Sequence, residues 1–247
     1  MFTAIGNSTG AITNEKVRMI EKFSFCTLRK EIVSCRRCPR LVDWREQVAR
    51  EKRRAYINWD YWGKPVPGFG DTRARLLIIG LAPGAHGSNR TGRMFTGDSS
   101  GDTLTRAMWK SGFANQPESV SRDDGLQFMD AYLTAVARCA PPKNRPTPEE
   151  LTNCRQFLLD EITHLDGVEV VLALGHLAFQ GYQMTLASMG YQMPRLKFSH
   201  GEWYSFPPPL PSLVACYHPS RQNTQTGRLT AEMLDAVFQQ IRTGLDG

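Results

Sequence analysis

The sequence predicts a three-layer α/β/α fold around a central, four-stranded parallel sheet. Apolar runs of strand length recur along the chain: LLII, AYLTAVA, VEVVLAL and LVACY. Such runs, apolar without alternation, mark strands buried on both faces. Helical patterns separate them, and strands alternating with helices imply a doubly wound parallel sheet.

The elements follow in order. Residues 1–18 are mixed, with Gly, Ser, Thr and Asn and no apolar run. They are expected to be a leader or flexible segment, and residues 19–247 a single domain. Helices are expected over 20–33 and 41–56, bracketing the C-x2-C of SCRRCPR. The charged WREQVAREKRR in the second reads as a solvated face. Residues 57–73 are aromatic, broken by Gly and Pro, and read as a loop. Leu76–Ile79 form the first strand, ended by Gly80. A long glycine-rich loop follows, from Ala82 to Gly101. Asp102 is expected to cap a helix, TLTRAMWKSG, that stops at Gly112. Residues 130–138 suit a second strand. Thr147, with Glu150 three residues on, signals a helix from Pro148 to about Thr163. Val168–Leu174 is the third strand, and Gly175 turns it into a short helix, HLAFQGYQ. Residues 181–212 look irregular. Leu213–Tyr217 is the fourth strand, followed by the polar loop HPSRQNTQTG and a last helix over Arg228–Arg242.

Composition narrows the function classes. The 247 residues are 41% hydrophobic and 22% charged, which excludes wholesale disorder and fibrous repeats. No apolar run is long enough for a transmembrane helix, and an intracellular protein is expected. Thirty Lys and Arg against 24 Asp and Glu give a net charge of +6, which suits a polyanionic partner. Six cysteines in a chain without an export signal argue against a disulfide framework. Cys35, Cys38, Cys139 and Cys154 fall in two pairs and read as a metal site joining distant segments, with zinc allowed by spacing alone. Cys26 and Cys216 sit in apolar surroundings and read as structural.

In such sheets, ligands bind beyond the carboxyl ends of the strands. Three strands run into LAPGAHGSNRTGRMFTGD, RCAPPKNRP and HPSRQNTQTGR, which should converge there. The first holds five glycines between positions 80 and 97, with Arg90, Arg93, Phe95, Thr96 and Asp98. Glycines allow close backbone approach, and arginines suit phosphates. The spacing is neither a Walker loop nor G-x-G-x-x-G, and no acidic cluster for Mg²⁺ supports a nucleotide hydrolase. The last loop sets His218 directly after a strand. Arg90, Arg93, Lys143, Arg145, Arg221 and Arg228 lie in or beside these loops.

GLAPGAHGSNRTGRMFTGDSSG, RCAPPKNRPTPEE and YHPSRQNTQTGRLT resemble the motifs of the type-B (family 5) uracil-DNA glycosylases, over roughly residues 25–243. The four cysteines are similar to those of the iron–sulfur branches of that superfamily. The resemblance implies a uracil-DNA glycosylase-like fold and a monofunctional enzyme of DNA repair. Such an enzyme flips out uracil, with hypoxanthine and other deaminated bases as wider candidates, and hydrolyses the N-glycosidic bond to leave an abasic site. It assigns Phe95 to stacking on the base and His218 to a hydrogen bond on the base carbonyl as negative charge develops. Asn144, Ala82 and Gly84 would contact the base or nearby DNA. Asp98 would position water or stabilise the sugar cation, with helix capping as its rival role. Arg90, Arg93, Arg145, Ser220, Arg221 and Asn223 would contact DNA. Cys35, Cys38, Cys139 and Cys154 would hold a structural [4Fe–4S] cluster, with zinc as the alternative. DNA is the expected partner, with no membrane and no obligate protein partner.

Two departures stand out. Many relatives carry Asp or Asn where this chain has Ala82, which would move the duty of holding water to Asp98. Relatives often carry Asn near Ala135, so base selectivity is expected to be looser. The alternative from another class is a non-catalytic nucleic-acid-binding module with a structural metal.

Overall fold

The computed structural model describes residues 25–247. The expectations for residues 1–18, and for the start of the helix over 20–33, lie outside the described residues; the described part of that helix, α1, covers residues 25–34. Four five-residue strands, β2 (Leu76–Gly80), β3 (Ala131–Ala135), β4 (Val170–Leu174) and β6 (Ser212–Cys216), pair in parallel as the apolar runs predict. Two-residue strands, β1 (Phe69–Gly70) and β5 (Trp203–Tyr204), add antiparallel edges in segments expected to be loop or irregular. Two residues are too few to leave a periodic signal. The sheet order among the described residues is β1-β3-β2-β4-β6-β5.

Alternation along the strands builds the three layers. Leu76, Ile78, Leu133, Leu172 and Val214 face one side. They pack with Leu104 and Met108 of helix α4 (Ser99–Lys110) and with Leu234, Phe238 and Ile241 of α8 (Ala231–Asp246). Leu77, Ile79, Tyr132, Val171 and Leu213 face the other side. There they meet Leu158 of α5 (Pro148–His164) and Ala178, Phe179 and Tyr182 of α6 (His176–Ser188). Both faces are covered, so the strands read as apolar throughout.

The chain leaves β2 for β3 on one side and returns to β4 on the other. That reversal opens a crevice at the carboxyl ends of β2 and β4, the usual ligand position in open α/β sheets. On the β3 side, Arg138 and Glu161 pair at 2.6 Å, each side chain 1% exposed. Thr134 Oγ1 and Tyr132 Oη also donate to that carboxylate, so the buried charges are compensated.

Helix boundaries differ from expectation in four places. Asp98, not Asp102, caps α4, because its Oδ1 accepts from Ser100 N at 3.1 Å and Gly101 N at 3.0 Å. The SSG that looks like loop is the first turn of α4, and a Cβ at Gly101 would lie 2.2 Å from Phe95 O. A short helix, α7 (Arg221–Gln225), occupies the polar loop after β6, and α8 starts at Ala231 behind the Thr230 cap. The α6 pattern extends to Ser188 because its inner face stays buried. Helix α2 (Pro39–Glu51) ends earlier than residue 56, giving way to a 3-10 turn over Arg54–Tyr56. The box at the start of α5 forms as predicted. Glu150 N donates to Thr147 Oγ1, and Thr147 N donates to Glu150 Oε2.

Candidate active site

The loop after β2 folds back over the strand end through the four-residue helix α3 (Ser88–Thr91). Phe95 adopts a positive φ of 47° within it. Its ring lies across Gly80, where a Cβ would stand 2.6 Å from Phe95 Cε2. Glycine is therefore needed at the end of β2 for the ring to sit there. The ring is 5.5 Å from that of His218, tilted by 34°. Two loops from different strands thus form one wall.

Asp98 closes the same loop. Its Oδ1 is used by the α4 cap. Its Oδ2 faces the glycine turn, where a Cβ at Gly87 would come within 2.0 Å and one at Gly84 within 2.9 Å. Capping and carboxylate chemistry are therefore split between the two oxygens. Burial pushes the Asp98 carboxyl up, opposed by the backbone N–H groups of Gly101 and Ser100 and by the charge of Arg90. Ala82 stands half-buried at the start of this loop.

His218 follows β6 directly. Burial pulls its imidazole down to about 4, so the ring is neutral at pH 7. Gly175, at the end of β4, lies against it: a Cβ there would be 3.3 Å from His218 Cβ. Asn223 Nδ2 donates to His218 O at 2.8 Å, and Ser220 Oγ accepts from Asn223 N at 3.3 Å. Ser220 and Asn223 therefore brace the His218 loop. A groove of ≈ 870 Å³ opens beside His218, lined among others by Arg195, Lys197, Tyr217 and Arg228.

A scan against family models matches residues 67–242 to the description "Uracil DNA glycosylase superfamily". A type-5 uracil-DNA glycosylase of Thermus thermophilus is 50% identical over 214 residues, 85% of this chain and 94% of the relative. One from Mycobacterium tuberculosis is 49% identical over 220 residues, covering 89% and 81%. A third, from Pyrobaculum aerophilum, is 46% identical over 208 residues, covering 84% and 88%.

The chain belongs to the uracil-DNA glycosylase superfamily.

The region matched to that superfamily takes in all three strand-end loops but begins after Cys35 and Cys38. Two DNA-contact expectations are corrected. Arg93 is 2% exposed, and its guanidinium forms a bidentate pair with Asp124 at 2.8 and 2.7 Å. Arg90 is 3% exposed and donates to His86 O and Gly97 O. Both brace the loop from inside and face no solvent. Arg145 and Arg221 are exposed, as are Lys143 and Arg228, and none has an ion-pair partner among the described residues. Asn144 is exposed at positive φ, in the 3-10 turn Pro142–Asn144, with no hydrogen bond to Phe95 or His218 among the described residues.

Cys35, Cys38, Cys139 and Cys154 line one small cavity shared by α2, α5 and the loop after β3. N–H groups point at three of the sulfurs. Arg45 Nη1 lies 3.0 Å from Cys139 Sγ, Arg138 N 3.3 Å from Cys154 Sγ and Asn153 Nδ2 3.7 Å from Cys38 Sγ. Burial pushes Cys139 up to about 11 and Cys154 to about 12. No three or more His, Cys, Asp or Glu among the described residues are grouped to hold a single metal ion.

Sequence reasoning missed several members of the site. Gly87 and Gly175 shape it without any side chain to signal that role. Tyr61 Oη and His86 Nδ1 are 3.1 Å apart beside the glycine turn. Arg45, in a helix read as solvated, is 2% exposed against the cysteines. Only tertiary placement distinguishes it from its neighbours in WREQVAREKRR.

Proposed function

We infer that this protein is a monofunctional DNA glycosylase that excises uracil from DNA by hydrolysis. The observation that carries the reading is the meeting of Phe95 and His218 at the switch point of a chain in this superfamily, with Asp98 closing the loop that carries Phe95. Excision breaks the C1′–N bond, and its electron pair leaves with the base. Water oxygen attaches to C1′, one water proton goes to Asp98, and the base takes up a proton after departure. His218, neutral at pH 7, donates a ring N–H to the base carbonyl as negative charge accumulates there. Asp98 Oδ2 orients the water and offsets positive charge on the sugar. Phe95 offers its ring to the extruded base. Asn144 and Arg145 reach DNA from the 3-10 turn, together with Arg221 at the start of α7.

Ala135 stands near where relatives often carry Asn and offers the base no amide, so the site also takes hypoxanthine and other deaminated bases. An oligonucleotide panel, cleaved with alkali after incubation, tests both readings. Strand breaks at uracil and hypoxanthine are expected. Breaks at uracil alone would remove the wider range, and none at all would leave the non-catalytic binding module.

The four cysteines fit a [4Fe–4S] cluster. They converge from three segments onto one cavity, with N–H donors at three sulfurs, and hydrogen bonds to the sulfurs are among the features that tune such clusters. A single zinc ion, with four sulfurs about 2.3 Å from one point, is the alternative occupant of the same cysteines. Bound there, the cluster would supply structural cross-linking of α2 and α5. Purified protein should be brown with about four iron atoms per chain. Colourless protein with one zinc would contradict this. We place the protein inside the cell with its DNA substrate, and no described helix is long and apolar enough to cross a membrane.

A further inference from the structure

Arg90 is buried inside the loop that carries Asp98, yet it has no carboxylate partner among the described residues to explain its burial. Its guanidinium is sandwiched between two rings, with Cζ 3.9 Å from the centroid of Tyr56 and 4.0 Å from that of Trp59. Nε donates to His86 O at 2.8 Å and Nη2 to Gly97 O at 2.6 Å. Nη1 is buried without a hydrogen-bond partner among the described residues. His86 immediately precedes Gly87, whose Cα faces Asp98 Oδ2, and Gly97 immediately precedes Asp98 itself. One rigid fork therefore fixes both sides of the gap into which Oδ2 points. Gly97 is adapted to the fork: at φ +80°, a Cβ there would stand 2.5 Å from Arg90 Nη2.

We propose that Arg90 is the positioning residue for Asp98, holding the carboxylate against the glycine turn through two backbone carbonyls and setting an unpaired guanidinium in the same loop. The proposal rests on the catalytic reading of Asp98 and deepens it. Planarity and permanent charge make arginine suited to this place: the fork spans two carbonyls while the faces stack on aromatics. Lysine keeps the charge but spans only one carbonyl.

The groups facing Asp98 are few. Arg90 favours its charged form, and Asp102, one turn along α4, repels it. His86 lies beside the turn, and burial, Arg53 and Arg90 hold it low. Among the described residues, Arg90 is the opposite charge that acts on Asp98, so its removal should raise the carboxyl further. Because excision needs the carboxylate, the acid limb of the rate must move to higher pH.

Single-turnover excision of uracil, followed across about pH 4 to 9, reads this shift. In Arg90→Met the acid limb should move to higher pH, the direction expected for loss of an opposite charge. The plateau should fall on the order of 10- to 100-fold through misplacement of Oδ2. Arg90→Lys should lower the plateau with a smaller limb shift. Trp59→Leu, which frees one face of the guanidinium without removing it, should do the same if Arg90→Met fails to fold. Arg93→Gln, a buried arginine of the same loop paired with Asp124, should lower stability and leave the limb in place. A limb abolished in Asp98→Asn but unmoved in Arg90→Met and Trp59→Leu overturns the role of Arg90 alone. A limb that survives Asp98→Asn overturns the Asp98 reading and the proposal with it.

Discussion

His218 shows how one residue links pH, stability and chemistry. In the folded chain burial brings it to about 4, against 6.5 when unfolded. Between those values the unfolded state binds a proton that the folded state refuses. Stability from this group is therefore complete above about pH 6.5 and declines as pH falls towards 4. The full difference is about 3 kcal/mol. His200 and His86, also lowered by burial, act in the same direction. Thermal melts of His218→Gln should show a flatter decline with acid than the parent; parallel curves would contradict the burial argument. Gly87 makes the complementary case, since its importance lies in an absent atom. A Cβ 2.0 Å from Asp98 Oδ2 must push the carboxylate away. Gly87→Ala should lower the excision rate by about 10²-fold, while affinity for uracil-containing DNA stays near that of the parent. An unchanged rate would mean that the position of Oδ2 is unimportant.

Helix ends set the site's geometry at the next scale. The capping box of α5 is tied to α2, because Arg40 donates to both oxygens of Glu150 at 2.8 and 2.7 Å. Thr147→Ala should cost about 1 kcal/mol, a loss of roughly 2–4 °C in melting temperature for a chain of this size. Glu150→Ala removes the box and the Arg40 tie together and should cost more, about 2 kcal/mol. Equal losses would mean that the tie contributes nothing. The α7 loop and the 3-10 turn carry exposed cations beside the strand ends, Arg221 and Lys143 among them. Arg221→Ala and Arg145→Ala should each reduce the slope of log affinity against log salt by about one unit. Arg93→Gln should leave that slope alone because its guanidinium faces Asp124. A slope reduced equally by all three variants would contradict the division between internal and DNA-facing arginines.

Across the whole molecule, what the sequence revealed depended on how locally each feature is encoded. The four parallel strands were legible because burial on both faces makes every position apolar. Thr147 and Glu150 announced α5 because a capping box is a three-residue signal. The edge strands β1 and β5 were not legible, being two residues each and fixed only by their neighbours. Phe95, Asp98 and His218 stood out as motif residues, and the fold brings their loops together. Arg90 and Arg93 misled because arginine is rarely buried, and the groups that bury them (Tyr56, Trp59 and Asp124) lie about 30 residues away on either side. The central claim is that two separate groups at this convergence perform the excision. Single-turnover rates on a uracil-containing oligonucleotide, with enzyme in excess, test it most directly for the parent, Asp98→Asn and His218→Ala. The account predicts rates lower by on the order of 10²–10³ in each variant, with folded structure and DNA affinity retained. Near-parental excision by a folded Asp98→Asn protein would reduce Asp98 to the cap of α4 and contradict the account.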